Sequence, residues 1–256
     1  MSNTEFEQIR IEPAYRKVSS ALLERIVDRS LAAGHRLPSE TELARQFGVN
    51  RSTVREALRE LETGGLLKRQ RGSKLMIVTR PEQRAVADGV TRALVLHDVT
   101  FVEVWEALKI LEPPLAETAA RQRNDMDVQR LVAAMERFTK NSLDTSAAVE
   151  SVAAFFRTLG VATHNTALIM AHEPLIHLLA PSLGVMIDKV PHARSRIAAA
   201  QKGICLAIRS RDSAEASSWM AKHIRDFRKG YEVAGISLHY RVDGPAGNSW
   251  ATKSVS

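Results

Sequence analysis

The sequence predicts a mainly α-helical protein with an N-terminal winged helix-turn-helix and a C-terminal all-α helical bundle. Two short helices, a glycine-containing turn between them and a basic hairpin follow one another within residues 34–78. From residue 82 to about 235, apolar residues recur at helical spacing and strand signals are scarce. We place the first domain at residues 10–80, the second at 83–235 and a mobile tail at 236–256.

The first helix of the motif is predicted from its two ends. Ser39 can accept a hydrogen bond from the backbone N–H of Glu42, whose carboxylate can return one, so the pair forms a capping box. Pro38 keeps the preceding residue extended. Gly48 ends the helix, since it tolerates the left-handed conformation that a turn needs.

A second helix is expected to begin after Asn50, which can cap it. Arg51 and Arg55 are four residues apart on its outer face and therefore point the same way. In a helix-turn-helix, the first residues of the second helix meet base edges in the major groove, where arginine can pair bidentately with guanine. The predicted inward stripe consists of Val54, Ala57, Leu58 and Leu61.

The hairpin that follows is basic. Two strands, 66–71 and 73–78, are expected around Arg71-Gly72, and no acidic residue occurs from 66 to 80. An arginine pair on a helix face is most often only a solvated surface. The occurrence of all these parts in the right order nevertheless favours DNA binding over that simpler interpretation.

Three motifs carry a more specific resemblance. They are Gly-x-x-Leu-Pro-Ser-Glu-x-Glu-Leu-Ala from Gly34, Phe-Gly-Val-x-Arg-x-x-Val-Arg-Glu-Ala-Leu from Phe47, and Leu-Glu-x-x-Gly-Leu from Leu61. With them, residues 14–80 resemble the N-terminal domain of the GntR superfamily of bacterial transcription regulators. The resemblance implies a protein that binds double-stranded DNA.

The resemblance also implies roles for single residues. In GntR proteins, the arginines that match Arg51 and Arg55 read bases, and the residues that match Ser52 and Thr53 help them. The tip of the hairpin, which matches Arg71-Gly72, enters the minor groove. Thr41 departs from the pattern, because many relatives carry a DNA-contacting arginine there. The DNA-binding residues expected on this basis are Arg36, Thr41, Arg51, Ser52, Thr53, Arg55, Arg71 and Gly72.

Charge and cysteine content agree with a DNA-binding protein. The formal net charge is +7, and residues 1–80 contribute most of it with 15 Lys and Arg against 10 Asp and Glu. The single cysteine, Cys205, fits a reducing compartment. No signal peptide or membrane span is evident, so a cytoplasmic protein is expected.

Seven helices are expected in the second domain. Their ranges are 82–97, 100–122, 126–141, 146–162, 166–180, 190–210 and 213–232. Pro113-Pro114 should break or bend the second of these, and Pro174 and Pro181 should bracket a short piece. Glu112 is expected on a solvated or salt-bridged face and His172 at a solvent-facing or capping position.

Three stretches, 106–113, 155–165 and 207–223, resemble the FCD domain of the fatty-acid-regulator-like branch of the same superfamily. That resemblance implies an effector-binding and dimerisation domain, and hence a homodimer on a palindromic operator. Many relatives hold a metal there with one Asp and three His. The matching positions carry Val152, Phe156, Gln201 and His223, which cannot complete a metal shell, so neither metal nor cofactor is expected.

A metal-free cavity that is more apolar than usual is the resulting hypothesis, and it suits a small organic effector with a sizeable apolar part. The effector-binding arginine of relatives is replaced by Leu108, although the adjacent Lys109 could substitute. The expected effector residues are Trp105, Leu108, Lys109, Val152, Phe156, Gln201 and His223.

Two alternatives remain open beside an effector-responsive regulator, which we expect to be a repressor. In one, the same positions only pack the core, and the domain dimerises without any ligand. In the other, the chain is an enzyme with an accessory DNA-binding module. The second domain shows no glycine-rich phosphate loop, nucleophile elbow or useful carboxylate pair, so no enzymatic activity is expected.

Overall fold

A computed structural model of the protein describes residues 12–70, 72, 75–140 and 144–242. The chain forms two compact units that divide between Ala85 and Val86. Ten helices and two strands occur in the described residues, which confirms the mainly α fold class.

The first unit is a three-helix core with a two-stranded hairpin. Its elements are α1 (Ala14–Val27), α2 (Glu40–Phe47), α3 (Arg51–Thr63), β1 (Leu67–Arg69) and β2 (Met76–Val78). The strands are antiparallel, with Leu67 opposite Val78. The inward stripe expected on α3 is buried, together with Val18 and Leu22 of α1 and Leu43 of α2.

The helix caps predicted at Ser39, Gly48 and Asn50 form only in part. The Ser39 hydroxyl accepts from the Glu42 N–H at 3.2 Å, but the Glu42 carboxylate binds Arg45 and Gln46 instead of returning a bond. Only half of the predicted capping box therefore forms. Gly48 ends α2 in the left-handed region, at φ 65°. Asn50 is the first residue before α3, but its side chain makes no capping hydrogen bond.

The second unit is an all-α bundle. Its helices are α4 (Gln83–Leu96), α5 (Phe101–Gln122), α6 (Asp125–Lys140), α7 (Thr145–Ala162), α8 (Thr166–Lys189), α9 (Ala193–Arg209) and α10 (Ser213–Val233). Helix α4 begins three residues before the division between the units. The most extensive packing joins α10 to α5, α6 to α7, α7 to α8 and α9 to α10.

Prolines do not end the helices that contain them, so the expected short piece between Pro174 and Pro181 is wrong, and Pro113-Pro114 do not break their helix. Helix α5 continues through Pro113 and Pro114, and α8 continues through Pro174 and Pro181 to Lys189. A proline inside a helix costs about 3 kcal/mol, because it removes one backbone hydrogen bond and crowds the preceding turn. Burial of both helices in the bundle core offsets that cost.

Helix α8 is apolar for a structural reason. It is the one helix within the described residues whose length and composition would allow it to cross a membrane. It packs against α5, α7 and α9, and both His172 and Glu173 are buried along it. Packing in the bundle accounts for its composition.

Residues 236–242, where a mobile tail was expected to begin, form hydrogen bonds with the first turn of α5. The N–H groups of Phe101 and Val102 donate to the carbonyls of Tyr240 and Leu238, at 3.0 and 2.8 Å. These N–H groups lie in the first turn of α5, where they have no partner within the helix. Residues 243–256, also assigned to the tail, lie outside the described residues.

Candidate DNA-binding surface and effector cavity

Four of the predicted DNA-binding residues occupy the first two turns of α3. Arg51, Ser52 and Arg55 are exposed, and Thr53 is half-buried. The buried stripe of α3 faces the core of the first unit, which leaves the arginine face to solvent. The surface thus offers two cationic donors from the end of the helix that meets bases in helix-turn-helix proteins.

Arg55 is held by an acidic residue that the sequence analysis did not single out. Its guanidinium Nη2 and Nε donate to Oε2 of Glu40, at 3.0 and 3.2 Å. This hydrogen bond, with the charges of Arg51 and Arg69 adding to it, lowers the pKa of the Glu40 carboxyl below its ordinary value. Glu40 lies directly after Ser39 in the motif that begins at Gly34, and its place in that motif was the only sequence feature that could have drawn attention to it.

The remaining predicted DNA contacts lie around α2 and the hairpin. Thr41 is exposed in the first turn of α2. Arg36 is exposed and pairs through its backbone with Ile77 of β2. Gly72 has a φ of 73° and open space around it. Arg71, expected beside Gly72 at the wing tip, lies outside the described residues.

A cavity of about 30 Å³, partly open to solvent, lies among α5, α7, α8 and α10. Three predicted effector residues, Leu108, Val152 and Phe156, belong to its walls. Every lining side chain is apolar: Leu108, Val149, Val152, Ala153, Phe156, Ile176, Leu179, Ala180, Leu183, Ile224 and Phe227. A ligand here would be held by burial of apolar surface.

A second cavity of about 20 Å³ shares four lining residues with the first and includes Trp105 in its lining. The indole Nε1 of Trp105 donates to the carbonyl of Ile224 at 3.2 Å, which fixes the ring between α5 and α10. Lys109 is exposed and lines neither cavity, but its ammonium lies 5.4 Å from the centre of the Trp105 ring.

Gln201 and His223 are buried but line neither of these two cavities. The His223 ring stacks on Phe156 at 5.8 Å and meets Phe227 edge-on at 5.9 Å. Burial lowers the pKa of His223 to about 4, although Asp226 raises it slightly. Nε2 of His223 and both amide atoms of Gln201 have no hydrogen-bond partner within the described part of the chain.

The arrangement offers no evident metal centre. Across the described ranges, no group of three or more His, Cys, Asp or Glu side chains is placed to hold an ion. Cys205 is buried, which raises the pKa of its thiol to about 12 and leaves little reactive thiolate.

Two polar residues lie in the core: Glu112 was expected on a solvated or salt-bridged face, and the solvent-facing or capping position expected for His172 is wrong. Glu112 and His172 are fully buried and joined by Nδ1 and Oε1 at 3.0 Å. The imidazole fits against α7 because Gly160 has no side chain there, and an added Cβ would lie 2.6 Å from Nε2. The two residues are 60 positions apart along the chain, so helical periodicity could not have revealed the pair.

Comparison with known proteins agrees with both units. Residues 14–77 match the family described as "Bacterial regulatory proteins, gntR family", and residues 103–226 match the FCD domain. The chain belongs to the GntR family. The resemblance proposed from its motifs is thereby confirmed, and the protein is a transcription regulator with a DNA-binding domain and an FCD domain.

Individual relatives extend the comparison along most of the chain. The "HTH-type transcriptional repressor NanR" of Escherichia coli strain K12 is 27% identical over 237 residues, which cover 89% of each chain. The "Uxu operon regulator" of Haemophilus influenzae is 30% identical over 169 residues, 64% of this chain and 60% of the relative. The solved "Streptococcus agalactiae GntR" aligns with a TM-score of 0.60 at 25% identity, covering 84% of this chain and 99% of that one.

The Glu40–Arg55 pair leads to a prediction about sequence discrimination. Arg55→Ala should cost roughly 1–3 kcal/mol on a selected operator, because a base contact is lost. Glu40→Gln should weaken operator binding less and strengthen binding to unrelated duplex, because it frees the guanidinium and removes a negative charge near phosphates. Fluorescence anisotropy on both duplexes measures the ratio of affinity for the operator to affinity for unrelated duplex. Glu42→Gln is the control, since that carboxylate holds Arg45 and should leave the ratio unchanged; equal ratios in all variants would contradict the assignment.

His223 leads to a prediction about pH. The folded chain holds this imidazole at a pKa of about 4, below its ordinary 6.5, so the unfolded chain binds the proton first as pH falls. The free energy of unfolding should therefore decline below about pH 6.5, by up to about 1.4 kcal/mol per pH unit, and this contribution should level off near pH 4. Urea unfolding of His223→Gln should show a shallower decline, whereas exposed His97→Gln should match the parent. Identical pH profiles for parent and His223→Gln would contradict the buried neutral imidazole.

Proposed function

We propose that this protein is a dimeric transcription repressor of the cytoplasm that binds a palindromic operator and releases it in response to a small organic effector. The observation that carries the DNA-binding part is the exposed pair Arg51 and Arg55 at the start of α3, within a domain of the GntR family. A repressor is favoured because the relative in Escherichia coli is named as one.

The dimer is inferred from the second unit and from the geometry of such operators. Two recognition helices related by a twofold axis read symmetric half-sites, and a two-domain regulator supplies that axis through its effector domain. The effector can change operator occupancy only if it binds one arrangement of the dimer more tightly than another. Residues 80–90 connect the units, so we assign transmission to this stretch.

The effector is proposed to bind without a metal, in the cavity lined by Leu108, Val152 and Phe156. Supporting this, the two apolar residues at family metal positions, Val152 and Phe156, form part of its wall. Gln201 and His223, which occupy the other two family metal positions, lie outside this lining, so a ligand in the cavity would be held by burial of apolar surface.

Operator selection tests the DNA-binding proposal directly. Purified protein should enrich one inverted repeat from random duplexes, and cleavage footprints should be symmetric about its centre, because each subunit presents one α3. Arg51→Ala should abolish the enrichment, whereas Arg25→Ala, an exposed change at the end of α1, should not. Failure to enrich any sequence, or enrichment of a single asymmetric half-site, would contradict a dimeric sequence-specific regulator.

A native mass spectrum of protein purified without chelator tests the remaining parts together. The expected species is a dimer that carries no metal, either empty or with an organic adduct, because the family metal positions lack ligands. A second sample, loaded with zinc and then dialysed against buffer, shows whether the protein retains a metal when one is supplied. One tightly held metal per subunit would overturn the metal-free site, and a monomer at micromolar concentration would overturn the dimer.

A further inference from the structure

The two cavities of the second unit are too small to admit an organic molecule without a movement of their walls. Their volumes are about 30 and 20 Å³. A cavity needs about 10–15 Å³ to hold a single water molecule, so each of these has room for one or two waters. A ligand can therefore enter only if part of a wall moves away.

One lining residue of the second cavity lies outside the helices, as far as the chain is described. It is Leu238, whereas the other lining residues belong to α5, α8 and α10. Moving one of those helices would disturb the packing of the bundle core. Residues 237–242, which we call the strap, are not helical and can move without that disturbance.

The strap lies along the corner between α4 and α5. Besides the two hydrogen bonds that the first turn of α5 donates to it, the N–H of Val242 donates to the carbonyl of Val99 at 2.8 Å. Asp98 and Arg241 add an ion pair at 2.8 Å, and both side chains are exposed. Val242 is buried and anchors the end of the strap. Release of the strap would thus free a cavity wall and the corner together.

From these observations we propose that the strap is a lid through which a small molecule enters the bundle, and that its opening loosens the corner between α4 and α5. Helix α4 begins next to the division between the two units, so the corner lies at the other end of the helix that leaves the DNA-binding unit. Leu238 belongs to the cavity wall and Val242 holds the corner, so one short segment serves both. This inference rests on the proposed effector role of the second unit.

A disulfide between the strap and the corner can hold the lid closed. Thr100 and Arg241 face one another as an antiparallel pair, and the hydrogen bonds lie on either side of them. In such a pair the Cα atoms are about 4.5 Å apart, within the range of about 4.4–6.8 Å that a disulfide spans. The double variant Thr100→Cys, Arg241→Cys should therefore be locked when oxidised and released when reduced. The native Cys205 is buried and should not interfere.

Uptake of 1-aminoanthracene, a neutral dye that fluoresces more strongly in apolar surroundings, tests the lid by stopped-flow fluorescence. The oxidised double variant should take up the dye at least about tenfold more slowly than the same protein when reduced, because entry requires the strap to open. The unmodified protein with and without reductant is the control, and its two rates should be equal.

Two shortened chains test the link to the corner. A chain that ends at Ile236 lacks the strap, and a chain that ends at Val242 retains it and is the matched control. Amide hydrogen exchange at Phe101 and Val102 should be at least about tenfold faster without the strap, because these N–H groups lose their acceptors. Operator affinity should fall about threefold or more, since a looser corner allows more arrangements and the operator fits few of them.

Equal dye uptake by the oxidised and reduced double variant, or no uptake by either, would overturn the lid. Unchanged exchange at Phe101 and Val102, or equal operator affinity of the two shortened chains, would overturn the link to the corner. If the shorter chain does not fold by circular dichroism, the double variant decides, because its oxidised form should bind operator more tightly than its reduced form. Failure of the proposed function is distinguishable: slow dye uptake by the oxidised form, in a protein that selects no operator, supports the lid and contradicts the regulator.

Discussion

The packing of α10 along α5 is the interaction on which the second unit depends. Leu115 of α5 and Met220 of α10 are completely buried, and Nε1 of Trp105 on α5 donates a hydrogen bond to the carbonyl of Ile224 on α10. The same contact supplies walls of both cavities, because Leu108 comes from one helix and Phe227 from the other. Burial of each large apolar side chain contributes about 1.5–3 kcal/mol, so this packing stabilises the bundle and also forms walls of both cavities.

The bundle also buries polar groups, and the free-energy cost of burying them opposes the stability gained from apolar packing. Glu112 and His172 satisfy one another at a single pair of atoms, and Oε2 and Nε2 are left without partners among the described residues. Removing either member would leave the other polar and buried, which is the costly outcome for such pairs. Nε2 of His223 and both amide atoms of Gln201 likewise have no partner among the described residues.

In the DNA-binding unit, one arginine of α3 is held by a neighbouring carboxylate. Arg51 and Arg55 are exposed on the surface proposed to contact DNA, and Arg55 is paired with Glu40. A carboxylate beside a guanidinium lowers the general attraction for phosphate but gives the donor a fixed direction. Direction matters because base pairing by arginine depends on the placement of two N–H groups, while phosphate binding depends mainly on charge.

Sequence by itself determined the features that depend on near neighbours. The glycine end of α2, the buried stripe of α3 and the approximate bounds of six of the seven bundle helices follow from spacing within a few turns, and the motifs around Gly34 and Phe47 indicated the family. Only the tertiary structure decided the Glu40–Arg55 pair, the burial of Glu112 with His172, the continuity of helices through proline and the docking of residues 236–242. Each of these depends on partners distant in sequence, as with Trp105 and Ile224, which are 119 residues apart. Local patterns cannot specify such contacts, because they arise only when separate helices share one core.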